Sequence, residues 1–247
     1  LSDEESTITI PVKSDYDYTV DMPAWITGEK VKEGYNFTLT ENTTGNARKG
    51  TVIFKSQKGT KEITFVQFGV NDIAGTYEAT YSTFGEGDDW VSETVKIELL
   101  QDEENEAVFY ADGLSSIRGV VLPLKFDGET YQLSALNGQY LGFIESQKWY
   151  LYTIVRSEAG YVHADTSLSY PAIAELDVDD EELMPFFPFK DKKGFSFTGE
   201  TGTIKSFIDA IGVYVFASKS PTFGNNNNLG YYDIFKGLSI KKIKADH

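Results

Sequence analysis

The chain has 247 residues, with 22 basic and 38 acidic side chains, a formal net charge of −16, 14% aromatic residues and no cysteine. That charge argues against a nucleic-acid backbone or an anionic membrane surface as partner, because both need a basic patch. Lack of cysteine excludes disulfides, thiolate catalysis and Cys-ligated metal, and the aromatic content excludes a disordered acidic tail.

The chain opens on Leu1-Ser2-Asp3-Glu4-Glu5, without a basic start or an apolar stretch after it. A beginning without Met fits a processed, exported product. No apolar run approaches the roughly 20 residues of a membrane helix, so no transmembrane segment is expected. Period-two alternation then dominates. Strands are predicted over Ile8–Val12, Tyr16–Val20, Tyr35–Thr40, Thr51–Lys55 and Lys61–Phe68. In the third, Tyr35, Phe37 and Leu39 share one face, so a one-residue slip would expose all three. Lys58-Gly59 reads as a tight reversal between the last two strands, and Trp25, after Pro23-Ala24, as a cap across the end of a small core.

A boundary falls near Gly69–Ala74. Residues 1–70 carry a net charge of −2 and the remainder −14, so the sequence reads as two domains, 1–70 and 71–247. Beyond the boundary, Tyr77–Tyr81 and Val95–Leu99 continue the strand pattern, and strands recur about every ten residues with turn signals between them. Ala172–Leu183 is the best helix candidate, with Ile173, Leu176 and Leu183 toward one face and Pro185 as its stop; Ile204–Ile211 is ambiguous between a short helix and a buried strand. The expected class is all-β, an N-terminal sandwich followed by a larger antiparallel β-barrel or sandwich.

The first seventy residues resemble the BACON domain family. Carrying the resemblance are Asp17-Tyr18-Thr19-Val20, Ala24-Trp25-Ile26-Thr27, the turn and strand from Asn42 through Arg48 and Gly50 to Val52, and the closing Ile63-Thr64-Phe65-Val66-Gln67-Phe68-Gly69. The resemblance implies an immunoglobulin-like β-sandwich on exported proteins of gut-type Bacteroidetes, at the outer-membrane surface or in the periplasm of a Gram-negative cell, often lipid-anchored upstream. Carbohydrate binding is attached to that family through the company it keeps, and a spacer role is equally compatible. Arg48 and Gln67 match family positions and read as structural, one binding backbone carbonyls beside a turn, the other pairing with a neighbouring edge. Downstream, Gly75-Thr76-Tyr77 loosely resembles the opening strand of lipocalin-like barrels.

No catalytic motif emerges. His163 and the terminal His247 are the only histidines, no G-x-S-x-G elbow is present, and Gly85-Glu86-Gly87 lacks the third glycine of a dinucleotide fingerprint. No catalytic residue, cofactor or metal ligand is therefore assigned. Six carboxylates within eight residues, Glu175, Asp177, Asp179, Asp180, Glu181 and Glu182, lack the glycine of a calcium loop and read as a solvated acidic face. Glycan binding needs aromatic faces for the C–H surface of a pyranose and amides or carboxylates for its hydroxyls. Three segments have that composition: Asp88-Asp89-Trp90; Asn226 with Tyr231-Tyr232 in the Asn-rich run; and Trp149 after Gln147-Lys148. Ordinary turn chemistry and core packing are the plain alternatives. The leading expectation is an exported, non-enzymatic surface protein that binds glycan. Two alternatives are an adhesive component that contacts other surface proteins, with the N-terminal domain as spacer, and a hydrolase built on paired carboxylates.

Overall fold

The computed structural model describes residues 1–86, 89–179, 182–224 and 226–244. The protein is all-β; its described residues include one complete helical element, a short 3-10 turn at Val70–Asp72. Among the described residues no helix is long and apolar enough to cross a membrane. The chain divides into two compact units, one of Leu1–Ile73 with Asp177–Met184, the other of Ala74–Leu176 with Pro185–His247.

The first unit contains β1 (Ser6–Ile10), β2 (Tyr18–Asp21), β3 (Ile26–Val31), β4 (Gly34–Leu39), β5 (Arg48–Ser56) and β6 (Gly59–Gln67). They form two three-stranded antiparallel sheets, ordered β1-β4-β3 and β2-β5-β6. Ile26, Phe37 and Leu39 from one and Val52, Phe54 and Phe65 from the other share a single core. Phe37 and Leu39 are fully buried, as their alternation requires. The reversal before β6 uses Gln57 and Lys58, between the paired Ser56 and Gly59, and Gly59 takes φ +135° as the first residue of the strand. β3 was not legible from propensity: its Gly28-Glu29-Lys30 centre is poor strand sequence, and pairing with β4 along its whole length holds it extended.

Trp25, Arg48 and Gln67 converge in this unit. The Arg48 guanidinium lies over the Trp25 ring at 4.4 Å, its Nε donates to Gln67 Oε1 at 2.8 Å, and Nη2 donates to the Thr40 carbonyl. Fully buried Gln67 uses its amide to donate to the Thr40 and Glu4 carbonyls. Gly50 makes room for the indole, since a Cβ there would lie 2.5 Å from Trp25 Cζ2 and 2.8 Å from Pro23 Cγ. An arginine beside a turn thus ties side chain to backbone across three strand ends.

The larger unit is built on an open antiparallel sheet that curls into half a barrel. Its strands are β7 (Gly75–Phe84), β8 (Trp90–Gln101), β9 (Val108–Asp112), β10 (Leu122–Asp127), β11 (Gln132–Leu136), β12 (Tyr140–Ile144), β13 (Trp149–Ser157), β14 (Val162–His163), β15 (Ser169–Ile173), β20 (Ile208–Phe216) and β21 (Asn228–Lys242), with the start of β16 (Glu175–Asp179) and the end of β17 (Glu182–Pro188), whose other residues belong to the first unit. The path runs β12-β13-β20-β21-β7-β8-β9-β10-β11-β15, so the last strand of the chain lies beside the first strand of the unit. β18 (Phe195–Gly199) and β19 (Gly202–Ser206) form a separate hairpin. Tyr77, Ala79, Ile97, Leu99, Val155, Ile211 and Val213 face the apolar core, while Glu78, Thr80, Ser82 and Phe84 of β7 point the other way.

The helix expected over Ala172–Leu183 is instead parts of β15, β16 and β17. On a helix, Glu175 and Asp179, and Asp177 and Glu181, would stack like charges four residues apart. Ala172 is extended in β15, opposite Leu133 of β11 and bridged to Phe189. The ambiguous Ile204–Ile211 segment is likewise extended, split between β19 and β20. Asp180 and Glu181 of the acidic run lie outside the described residues.

Candidate functional site

Register, not sequence proximity, assembles an aromatic cluster on the sheet face opposite Val155 and Val213, where Tyr152, Tyr214 and Phe216 form a buried core with Ile154. Tyr140 of β12 is level with Tyr152 of β13, Tyr152 with Tyr214 of β20, and Tyr214 with Tyr231 of β21. Directly paired residues share a face, so four tyrosines from four neighbouring strands line up side by side. The row continues onto β7 and β8: Phe84 lies 5.8 Å from Tyr231, ring centre to ring centre, and Trp90, opposite Phe84 in register, lies 4.5 Å from it. A second row, Phe143–Tyr150–Phe216, flanks the first, and Phe223 packs on Tyr214 and Phe216. Tyr152, Tyr214 and Phe216 are buried within this cluster, while Phe84 at its edge remains 42% exposed.

Charge gathers at the Trp90 end. The Arg156 Nη1 donates to both Asp209 oxygens at 2.9 and 2.7 Å, and the Lys236 ammonium lies 3.6 Å from the same carboxylate. Ala210, level with both Arg156 and Lys236, has no bulk to separate the cations. Both cations also sit over the Trp90 indole, Lys236 at 4.6 Å and Arg156 at 5.4 Å. Arg156 and Asp209 side chains are only 17% and 12% exposed, so their attraction is weakly screened. Among the described residues, two cations here share one anion beside the aromatic rings. Burial raises the Tyr231 phenol well above its ordinary range; Arg156 opposes that shift, and Tyr214 and Asp209 reinforce it. The hydroxyl therefore stays protonated at neutral pH, able to donate and accept.

Trp90 and Tyr231, expected from separate segments, meet through Phe84 in this site. Tyr232 and Trp149 do not join it: they contact each other at 6.3 Å, and Trp149 precedes Tyr150, which carries the second aromatic row. Asp89 is exposed, and its carbonyl accepts the Gly85 N–H at 2.8 Å to close the turn between β7 and β8. Asp88 lies outside the described residues. Asn226 is exposed with φ +67°, the left-handed conformation that Asn tolerates in turns. Neighbouring Asn227 ties that loop together, its amide donating to the Ser220 and Thr222 carbonyls at 2.8 Å each. Sequence reasoning missed Phe84, Arg156, Asp209 and Lys236. Phe84 carries a weak signal as the apolar residue before a Gly-containing turn; the charged three come from strands far apart in the chain.

His163 packs edge-on against Phe195 at 4.9 Å and Phe197 at 4.5 Å, and its Nε2 is buried without a hydrogen-bond partner. Burial lowers its pKa, against the opposing pull of Asp165. Among the described residues no three His, Asp or Glu side chains are grouped to hold a metal ion. The chain matches no protein-family model, no curated protein and no solved structure.

Proposed function

We propose that this protein is an exported, non-enzymatic surface protein whose larger unit binds glycan on the Phe84–Trp90–Tyr231 platform. The reading is carried by one observation: aromatic rings from three neighbouring strands adjoin the Arg156–Asp209–Lys236 cluster. Exposed Phe84 supplies a face for the C–H side of a sugar ring, and the cluster supplies donors and an acceptor for its hydroxyls. Trp90 acts here as a wall rather than an open plate, because Phe84 and two cations already adjoin its indole. In this reading the first unit is a BACON-type, immunoglobulin-like sandwich serving as spacer or second binding module, with a lipid anchor upstream. The resemblance in its sequence and the Trp25–Arg48–Gln67 cluster support that assignment.

A glycan array probed with the whole chain tests the proposal. Phe84→Ala should lower glycan retention at least about tenfold with little change in melting temperature, because an exposed ring contributes little to folding. Retention unchanged by Phe84→Ala would remove the platform from the binding site. A second reading, adhesion to a protein partner, is favoured by the exposed Tyr140, Phe143, Leu229 and Tyr232, each more than 40% accessible. No retention on any glycan, with adhesion to cell-surface protein lost on Tyr140→Ala and Phe143→Ala, would select it.

A further inference from the structure

We propose that a groove beside β15 is a second binding site, specific for short acidic oligosaccharides bearing carboxylates; it rests on the glycan-binding reading above and adds a site and a ligand charge to it. The groove has a volume of about 400 Å³ and is lined by Gln132, Ser169, Phe195 and the lysines Lys190, Lys192 and Lys193. All three lysines are exposed, and none forms an ion pair among the described residues.

The loop that carries them is held in shape from within. Asp191 Oδ1 accepts the N–H groups of Lys193 and Gly194, each at 2.9 Å, and Oδ2 accepts the Ile208 N–H at 3.0 Å. The Lys190 N–H donates to the Pro171 carbonyl at 2.7 Å, fastening the loop to β15. The carboxylate within the lysine run is therefore committed to backbone amides, and three ammonium groups face one compensated anion. A loop ordered before binding loses less entropy on binding. Phe195 and the apolar side of the groove suit a sugar ring, and Ser169 and Gln132 can bond its hydroxyls.

With a net charge of −16, a long polyanion meets an unfavourable mean potential over the rest of the chain. A short acidic oligosaccharide, or the end of a chain, satisfies three lysines without laying further charge across acidic surface. Length selectivity follows from that contrast.

The test is calorimetric titration of the whole chain with a short oligogalacturonate and with a neutral malto-oligosaccharide, at low and high salt. Wild type should bind the uronate with an affinity that falls as salt rises. Lys192→Glu combined with Lys193→Glu should weaken it at least about tenfold, because two charge-assisted contacts become repulsive. Lys125→Glu on β10 should leave it unchanged, and matched melting temperatures show that both variants fold. Uronate binding that survives the double reversal, or falls equally with Lys125→Glu, overturns the site. Neutral-sugar binding with no uronate binding overturns this inference while leaving the Phe84 platform standing. Uronate binding that depends on Lys192 and Lys193 supports the groove whatever Phe84→Ala does, and neutral-sugar binding unchanged by Phe84→Ala removes the platform alone.

Discussion

Each unit places an arginine over a tryptophan, and the two pairs are wired differently. Arg48, 4.4 Å from Trp25, spends its donors on the Gln67 side chain and the Thr40 carbonyl. Arg156, 5.4 Å from Trp90, spends them on the Asp209 carboxylate, which it shares with Lys236. Hydrogen bonds to backbone and a buried amide cannot be exchanged for a ligand without leaving those groups unsatisfied. An ion pair beside a spare cation can be exchanged, because a hydroxyl or carboxylate of the ligand can replace part of it. On the proposed glycan reading, the same pair of side chains is a rivet in one unit and a docking element in the other.

The strongest way to break this comparison is to remove the arginines. Arg48→Ala leaves Gln67 Oε1 without its donor and removes the charge near Asp3 and Asp72, so it should destabilise the first unit by about 3 kcal/mol in chemical denaturation. Arg156→Ala should cost about 2 kcal/mol, because Lys236 remains beside Asp209 to hold part of the charge. The lysine replacements sharpen the contrast. Arg156→Lys should recover most of its loss, and Arg48→Lys little, because an ammonium cannot span Gln67 and Thr40 while lying flat on an indole. Equal rescue at both sites would mean that the two pairs are equivalent.

Gly50→Ala should cost about 1–3 kcal/mol by driving a methyl into Trp25 and Pro23. Among the described residues of the larger unit, the glycine before Trp90 is Gly85, where a Cβ would meet the side chain of Val91 instead. His163 provides a smaller effect with a definite sign. Burial depresses its folded pKa below the unfolded value of about 6.5. The unfolded chain therefore takes up the proton first as pH falls. Stability is complete above about pH 6.5 and is lost as pH drops through the folded value. His163→Leu should flatten that decline in melting temperature; an identical decline in the variant would place its origin elsewhere. Smallest of all, Asn226→Gly should change stability by less than about 1 kcal/mol and in the stabilising direction, since glycine adopts φ +67° without strain.

Much of the architecture was legible because strand alternation is a local signal. Phe37 and Leu39 alternate with Asn36 and Thr38, and Tyr77 and Ala79 with Glu78 and Thr80, and in each case the apolar set is the buried one. The segment from Ala172 to Leu183 misled because its apolar residues fit a helical face as well as a strand. The pairing of Ala172 and Ile173 with β11 is decided by partners far away in the chain. The candidate site was half visible. Trp90 and Tyr231 stood out by composition, but aromatic composition does not distinguish them from Trp149 and Tyr232. Only pairing register places the first two together with Phe84 and turns the other two toward each other.

By itself the sequence determined that the chain is β throughout, that it carries a large negative charge, and which face of each strongly alternating strand is apolar. These follow from properties of neighbouring residues, which act over one or two positions. Tertiary structure alone decided that a tyrosine row runs through four strands, that Arg156, Asp209 and Lys236 meet beside Trp90, and that three lysines rim one groove. Those arrangements depend on which strands pair and in what register, and pairing energy is shared among residues as distant in the chain as Tyr77 and Lys242, beyond the reach of local pattern.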